Sequence, residues 1–328
     1  MSNETRRQYQ ADIRKEGELA DEILYDIRRE NVDAVRTLLP ALCRVQRLPS
    51  GDLIYVLAEG LSRQSAAKWA EVFEPILFEA LADPDGNDAC PEQWARCAVR
   101  IAGGVEAVER RIDQLLPGTP LQARNAVLGY LRYLGKTHGG RRVLRFVRRR
   151  RDILRSHSDL WYAVGDALFQ PDTHKQLVKW MSDWRQQDGN TPERLTTLAA
   201  SLRHLNRVDA AREVSLAALE LPEDRGTGCH LILLAIDDVA NRDPEAAMDK
   251  LERARKYLIT HSYNTVYDVI MAYVRFMLRS DRGRADAEHY LNRVDELRQR
   301  ANPIWHIATV PRLFEDVRRA IQETVVAD

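Results

Sequence analysis

Apolar positions recur at three- and four-residue intervals along almost the whole chain, and nowhere with period two, which predicts amphipathic helices and no strands. Ile54, Leu57, Ala58 and Leu61 are followed by Trp69, Phe73, Ile76 and Leu77; Trp94, Cys97, Ala98 and Ile101 by Val105, Val108, Ile112 and Leu115; Val127, Leu128, Leu131 and Leu134 by Val143, Leu144 and Val147. Glycine and proline fall between these runs, at Pro49-Ser50-Gly51, Asp83–Gly86, Pro117–Pro120, His138–Gly140, Asp188–Pro192 and Asn302-Pro303, where helices must stop and turn. The pattern gives about eight helical hairpins in an all-α chain. The first lies around Leu19–Val45 and a late one around Val266–Leu297. A last amphipathic helix from Pro311 to about Val325, apolar at Leu313, Phe314, Val317 and Ile321, suits a cap over the exposed end of a stack.

The clearest hairpin runs Leu195, Leu198, Ala199, Leu202, the turn Leu205-Asn206-Arg207, then Ala211, Ser215, Ala218 and Pro222. Small Ala199 and Ala211 sit where the two helices cross. Trp161, Val164, Gly165 and Leu168 precede it in the same phase, and Leu231, Leu234, Ala235, Ala247, Leu251 and Ala254 follow, so the leading apolar residues at 161, 195 and 231 are 34 and 36 positions apart. A period of this size is the mark of a solenoid. Over about residues 158–260 the chain resembles the tetratricopeptide repeat, in its opening aromatic, its Leu-Gly-type pair and the alanines and proline of its second helix.

The resemblance implies a right-handed α-solenoid of stacked antiparallel hairpins, with irregular hairpins over 1–157, tetratricopeptide-like repeats over 158–300 and a capping helix over 301–328. It implies a non-enzymatic scaffold whose concave groove, lined by the first helix of each hairpin, binds a peptide or helix of a partner protein. By helical phase the groove positions are Asp159, Tyr162, Asp166, Phe169 and Gln170, then Glu193, Thr196, Arg203 and His204. The next helix offers Cys229, Ile232, Ile236 and Val239, so apolar that this section is either covered or filled by a partner's side chain. Arg203, Gln170 and Glu193 are expected to hold a bound backbone, with Tyr162, Phe169 and Ile236 as apolar anchors.

Charge sharpens one further feature. Lys+Arg and Asp+Glu number 49 each, so no whole-molecule field draws the chain to nucleic acid or membrane. Seven of the basic residues are lysine and the other 42 arginine; arginine pairs with carboxylates in bidentate fashion along helix faces. Between Gly139 and Ser156, however, eight arginines face the single acid Asp152. Val143, Phe146, Val147 and Leu154 take the apolar side, which leaves Arg141, Arg142, Arg145, Arg148, Arg149 and Arg155 as a basic patch. Nucleic acid, an acidic protein or an intramolecular salt-bridge face all remain open for it. The near-neutral chain with an apolar groove section also suits self-association.

No catalytic constellation, metal site or cofactor motif is predicted. Gly135-Lys136-Thr137 lacks the phosphate-loop spacing and follows helix instead of strand, so it is expected to be a hairpin turn. The acidic loop Asp83–Asp88 has Trp94 where a calcium loop needs a carboxylate. Ser156–Asp159 holds the residue types of a triad, but adjacent residues do not converge; Ser158 or Asp159 is expected to cap the next helix. The histidines show no zinc spacing, and Cys43, Cys90, Cys97 and Cys229 form no C-x-x-C pair and are expected as buried free thiols. With no apolar leader and no run approaching 18 apolar residues, a cytoplasmic location and no membrane contact are the expectation.

Overall fold

The 3.6-residue periodicity is realised in a computed structural model that describes residues 3–45, 63–84, 90–118 and 120–257, with isolated positions beyond. Among the described residues there are fourteen α-helices and no strand. Those of the first unit are α1 (Asn3–Arg28), α2 (Val32–Cys43), α3 (Arg63–Ala80), α4 (Cys90–Ile101), α5 (Val105–Leu115), α6 (Leu121–His138), α7 (Gly140–Arg149), α8 (Arg151–Arg155) and α9 (Ser158–Ala167). The second unit contributes α10 (His174–Trp180), α11 (Pro192–His204), α12 (Val208–Ala218), α13 (Arg225–Ala240) and α14 (Pro244–Ala254). The units are Met1–Ala167 and Leu168–Asp328. No described helix is long and apolar enough to cross a membrane. The helix expected over Ile54–Leu61, the hairpin at 266–297, the cap at 311–325, the turns at 49–51 and 302–303, and positions 85–89 of the acidic loop lie outside the described residues.

One turn geometry is used repeatedly. After α1, α11 and α13 a non-glycine residue takes left-handed φ: Glu30 at 56°, Asn206 at 58° and Arg242 at 59°. In each case the following N–H reaches back five residues, Asn31 to the Asp26 carbonyl, Arg207 to Leu202 and Asp243 to Asp238, at 2.8 to 2.9 Å. These are Schellman closures that satisfy the last carbonyls of the first helix. Each is followed at once by the start of the second helix, with Asn31 and Asp243 accepting from the backbone N–H of Ala34 and Ala246.

The break after α6 corrects one expectation. Gly135-Lys136-Thr137 is not a turn but part of α6, and the break comes at Gly139, whose φ is 71° and whose N–H bonds the Leu134 carbonyl. Gly139 takes a positive φ that glycine tolerates without strain, and its own N–H makes the five-residue return that Arg207 makes after α11.

Packing runs chiefly between helices that are neighbours or near neighbours in the chain, α1 with α2, α3 with α4, α4 with α6, α11 with α12 and α13, and α13 with α14. Where helices two apart meet, a glycine allows backbone to touch backbone. A Cβ on Gly129 of α6 would lie 1.9 Å from the Pro91 carbonyl oxygen of α4, and one on Gly226 of α13 would lie 2.1 Å from the Glu193 nitrogen of α11. Ala199 and Ala211 are fully buried at the α11–α12 crossing, as their size requires. All four cysteines are buried free thiols, and burial pushes the Cys97 thiol up to about 12.

Six ion pairs span about one hairpin, while Arg185–Glu213, Lys68–Glu30 and Lys136–Glu92 join residues 28, 38 and 44 apart. Arg111–Glu74, Arg142–Glu109, Arg150–Asp113, Arg124–Asp159, Arg203–Asp237 and Lys256–Glu223 join residues 37, 33, 37, 35, 34 and 33 apart. Each of the six is a rung from one hairpin to the next.

Candidate functional site

In the second unit α11 carries the expected groove positions Glu193, Thr196, Arg203 and His204. Its N-terminus is fixed by Thr191, whose side chain accepts from Arg194 N–H, with Pro192 in the first turn. Asp224, capping α13, also accepts from Glu193 N–H at 3.2 Å and from Gly226 N–H at 2.7 Å. One carboxylate therefore ties the starts of α11 and α13 together, and its charge suits both helix dipoles.

Three expectations for this groove are corrected. Arg203 is not a surface donor: it is 1% exposed, and both terminal nitrogens bond the buried Asp237 carboxylate of α13. Arginine's long stem lets it reach inward as readily as outward, and a carboxylate one repeat away decided the direction. Arg212 stands 3.9 Å from Asp237 and Lys250 2.6 Å from Asp238, which balances the two adjacent acids. Thr196 is buried too, its hydroxyl donating to the Pro192 carbonyl at 3.1 Å.

Ile236, expected as an anchor, is 2% exposed, and residues 226–239 of α13 are buried throughout. Of the two alternatives for this helix, it is the covered one that is observed. A largely apolar helix whose two acids are paired belongs in a core.

What remains toward the surface is Phe169 and His204, on either side of the buried His174 ring. Half-buried Phe169 meets His174 edge-on at 5.4 Å, and His174 lies against half-buried His204 at 4.0 Å. His174 itself is 5% exposed, with Nδ1 3.0 Å from the Ser201 hydroxyl. Gln170 is half-buried beside Phe169, and Glu193 is half-buried at the start of α11. Asp159, Tyr162 and Asp166 fall in the first unit, half-buried on α9. Asp159 accepts from Leu160 N–H at 3.1 Å within the first turn of α9 and pairs with Arg124 at 3.5 Å.

His230 is a buried histidine that sequence reading did not single out. It is fully enclosed, with Nε2 2.8 Å from the Pro192 carbonyl and Nδ1 3.1 Å from the Ser215 hydroxyl. A carbonyl only accepts, so Nε2 carries the proton and Nδ1 accepts from Ser215. Burial pulls its pKa down to about 4 from 6.5. The unfolded chain thus takes up this proton first as pH falls. The contribution of neutral His230 is complete above about pH 6.5 and is lost on acidification toward pH 4, a difference of about 3 kcal/mol at most. His230→Gln should flatten the pH dependence of the unfolding free energy between pH 7 and 4 by that order; parallel curves for variant and parent would refute the assignment.

In the first unit the basic run divides. Arg142 does not project outward as expected: its guanidinium bonds Glu109 at 2.8 Å and Glu106 at 2.9 Å, both on α5. Arg150 is 7% exposed and grips Asp113 through two bonds of 2.6 and 2.7 Å while covering the Phe146 ring at 4.2 Å. Glu109 also accepts from the Tyr130 hydroxyl at 3.1 Å. Burial first and this carboxylate second push that phenol far above its usual range. Arg155 is half-buried, whereas Arg141, Arg145, Arg148 and Arg149 are exposed and enter no ion pair among the described residues. Among those residues no group of three or more histidine, cysteine or carboxylate side chains could hold a metal ion. No protein-family model matches the chain, and no curated protein is similar to it in sequence.

Proposed function

We propose that the chain is a non-enzymatic helical-repeat scaffold of the tetratricopeptide kind, a right-handed superhelix that holds a peptide or helix of a partner protein. The observation that carries this reading is the repeated hairpin module itself. The same left-handed turn recurs after α1, α11 and α13, and six ion pairs each span about one hairpin. An array built this way presents a long surface assembled from equivalent positions. With Arg203, Thr196 and Ile236 committed to the interior, the contact surface of the second unit centres on Phe169, Gln170 and His204. Rigid ring side chains beside buried, well-packed neighbours have the character of interface anchors.

The test is capture of the partner by the immobilised full chain from the cells that make it, repeated with Phe169→Ala/His204→Ala. Both residues are half-buried, so the variant keeps its helical circular dichroism, while recovery of the specific partner falls at least about tenfold. Equal recovery by the folded variant, or no specific protein retained by the parent chain, would contradict the proposal.

A further inference from the structure

The division of the arginine run in the first unit leaves a charged face whose purpose the fold does not explain. Arg142 and Arg150 are spent on Glu106, Glu109 and Asp113, and these are the pairs that join α7 and its end to α5. Arg141, Arg145, Arg148 and Arg149 are exposed and bond none of these acids. At 3.6 residues per turn the four fall within an arc of about 100° on α7, a ladder along one side of the helix. Half-buried Leu144 borders one edge of that arc, and the Arg142–Glu106 pair borders the other. Arg145 stands close enough to Glu106 to contribute, after that residue's own backbone N–H and Arg142, to holding its carboxyl below the usual range, but Arg142 takes the direct bond. Exposed Asp152 lies beyond the end of α7.

We infer that this ladder docks an acidic amphipathic helix of a protein partner. Arg141, Arg145 and Arg149 are spaced four residues apart, so their Cα atoms rise by about 6 Å each. Carboxylates at i, i+4 and i+8 of a second helix rise by the same step, so a helix laid alongside α7 brings fork against carboxylate at each rung. Leu144 at the edge of the ladder gives such a helix an aliphatic surface to cover. A nucleic acid fits less well. The exposed arc carries no aromatic side chain on which a base stacks, since Phe146 is fully buried and lies beneath Arg150, and stacking is a principal part of single-strand binding. The whole ladder spans about 12 Å, or two turns of helix, too short to track a duplex backbone over many phosphates. This face lies on α7 in the first unit and stands independently of the Phe169–His204 surface.

The experiment is fluorescence anisotropy of the full chain with a labelled alanine-based helical peptide bearing Glu at i, i+4 and i+8. A peptide of the same composition with its acids distributed around the helix, and a 20-base-pair DNA duplex, serve as comparison probes. The faced peptide should bind at low ionic strength at least about fivefold more tightly than the scattered one, and weaken as salt screens the ladder. Arg145→Gln/Arg148→Gln/Arg149→Gln should lose about tenfold or more in affinity with an unchanged melting temperature, since none of the three is buried. Arg28→Gln/Arg207→Gln/Arg253→Gln, at exposed positions elsewhere, should bind as the parent does. No binding at 50 mM salt, equal binding of the two peptides, equal loss in both triple variants, or tighter binding of the duplex than of the faced peptide would each overturn the inference.

Discussion

Arg203→Met should lower the unfolding free energy by about 3 to 5 kcal/mol, the cost of leaving a buried carboxylate without its partner. Asp237 is 5% exposed and receives both terminal nitrogens of Arg203. Arg212, 3.9 Å away and 40% exposed at its side chain, offers partial compensation and places the expectation at the lower end of that range. The double variant Arg203→Met/Asp237→Leu removes both charges and should recover most of the loss, because an apolar pair of similar volume tolerates the site as well as the ion pair does. Urea denaturation of the three proteins decides the matter. A loss under 1 kcal/mol in the single variant would mean that Arg203 is free to serve at the surface after all.

The second large effect reverses the sign of a common substitution. Alanine in place of glycine inside a helix ordinarily stabilises by up to about 1 kcal/mol, and Gly17→Ala in α1, where nothing lies within 4 Å of the added carbon, should do so. Gly226→Ala and Gly129→Ala should instead destabilise by about 3 kcal/mol or more. The new carbon meets backbone in both cases, Glu193 N and Cα at 2.1 and 2.2 Å in one, the Pro91 carbonyl at 1.9 Å in the other. No rotamer change relieves a clash with backbone, so the helices must separate. Thermal unfolding compares the three variants; mild stabilisation at 129 or 226 would refute the close crossing of α11 with α13 or of α4 with α6.

The helices were legible because burial enforces their period: Trp94 to Leu115 and Val127 to Val147 are amphipathic over whole turns, and α4 to α7 lie where that spacing put them. Hairpin turns were less so. Asn206 was recognisable by residue type, but Glu30 and Arg242 take the same backbone conformation with side chains that rarely do, and Gly135-Lys136-Thr137 reads as a turn beside the break at His138–Gly140, which is the real one. Site positions were hardest. Helical phase says which way a residue leaves its helix, but a side chain as long as arginine can turn inward when a carboxylate waits one hairpin away. Asp237, Glu109 and Asp113 stand 34, 33 and 37 residues from Arg203, Arg142 and Arg150, but the interval alone does not single these arginines out. Glu106, Glu109 and Asp113 also stand 35 or 36 residues before the exposed Arg141, Arg145, Arg148 and Arg149, so the direction each side chain takes is set by its place on the packed helix and not by the spacing.

The central claim, a repeat surface that holds a partner protein, is tested most directly by hydrogen exchange of the full chain with and without the partner it captures. Slowed exchange is expected in the segments that carry Phe169 and His204, at about 168–174 and 201–206, with the buried middle of α13 unchanged. A captured partner that leaves both segments exchanging at their free rates would contradict it.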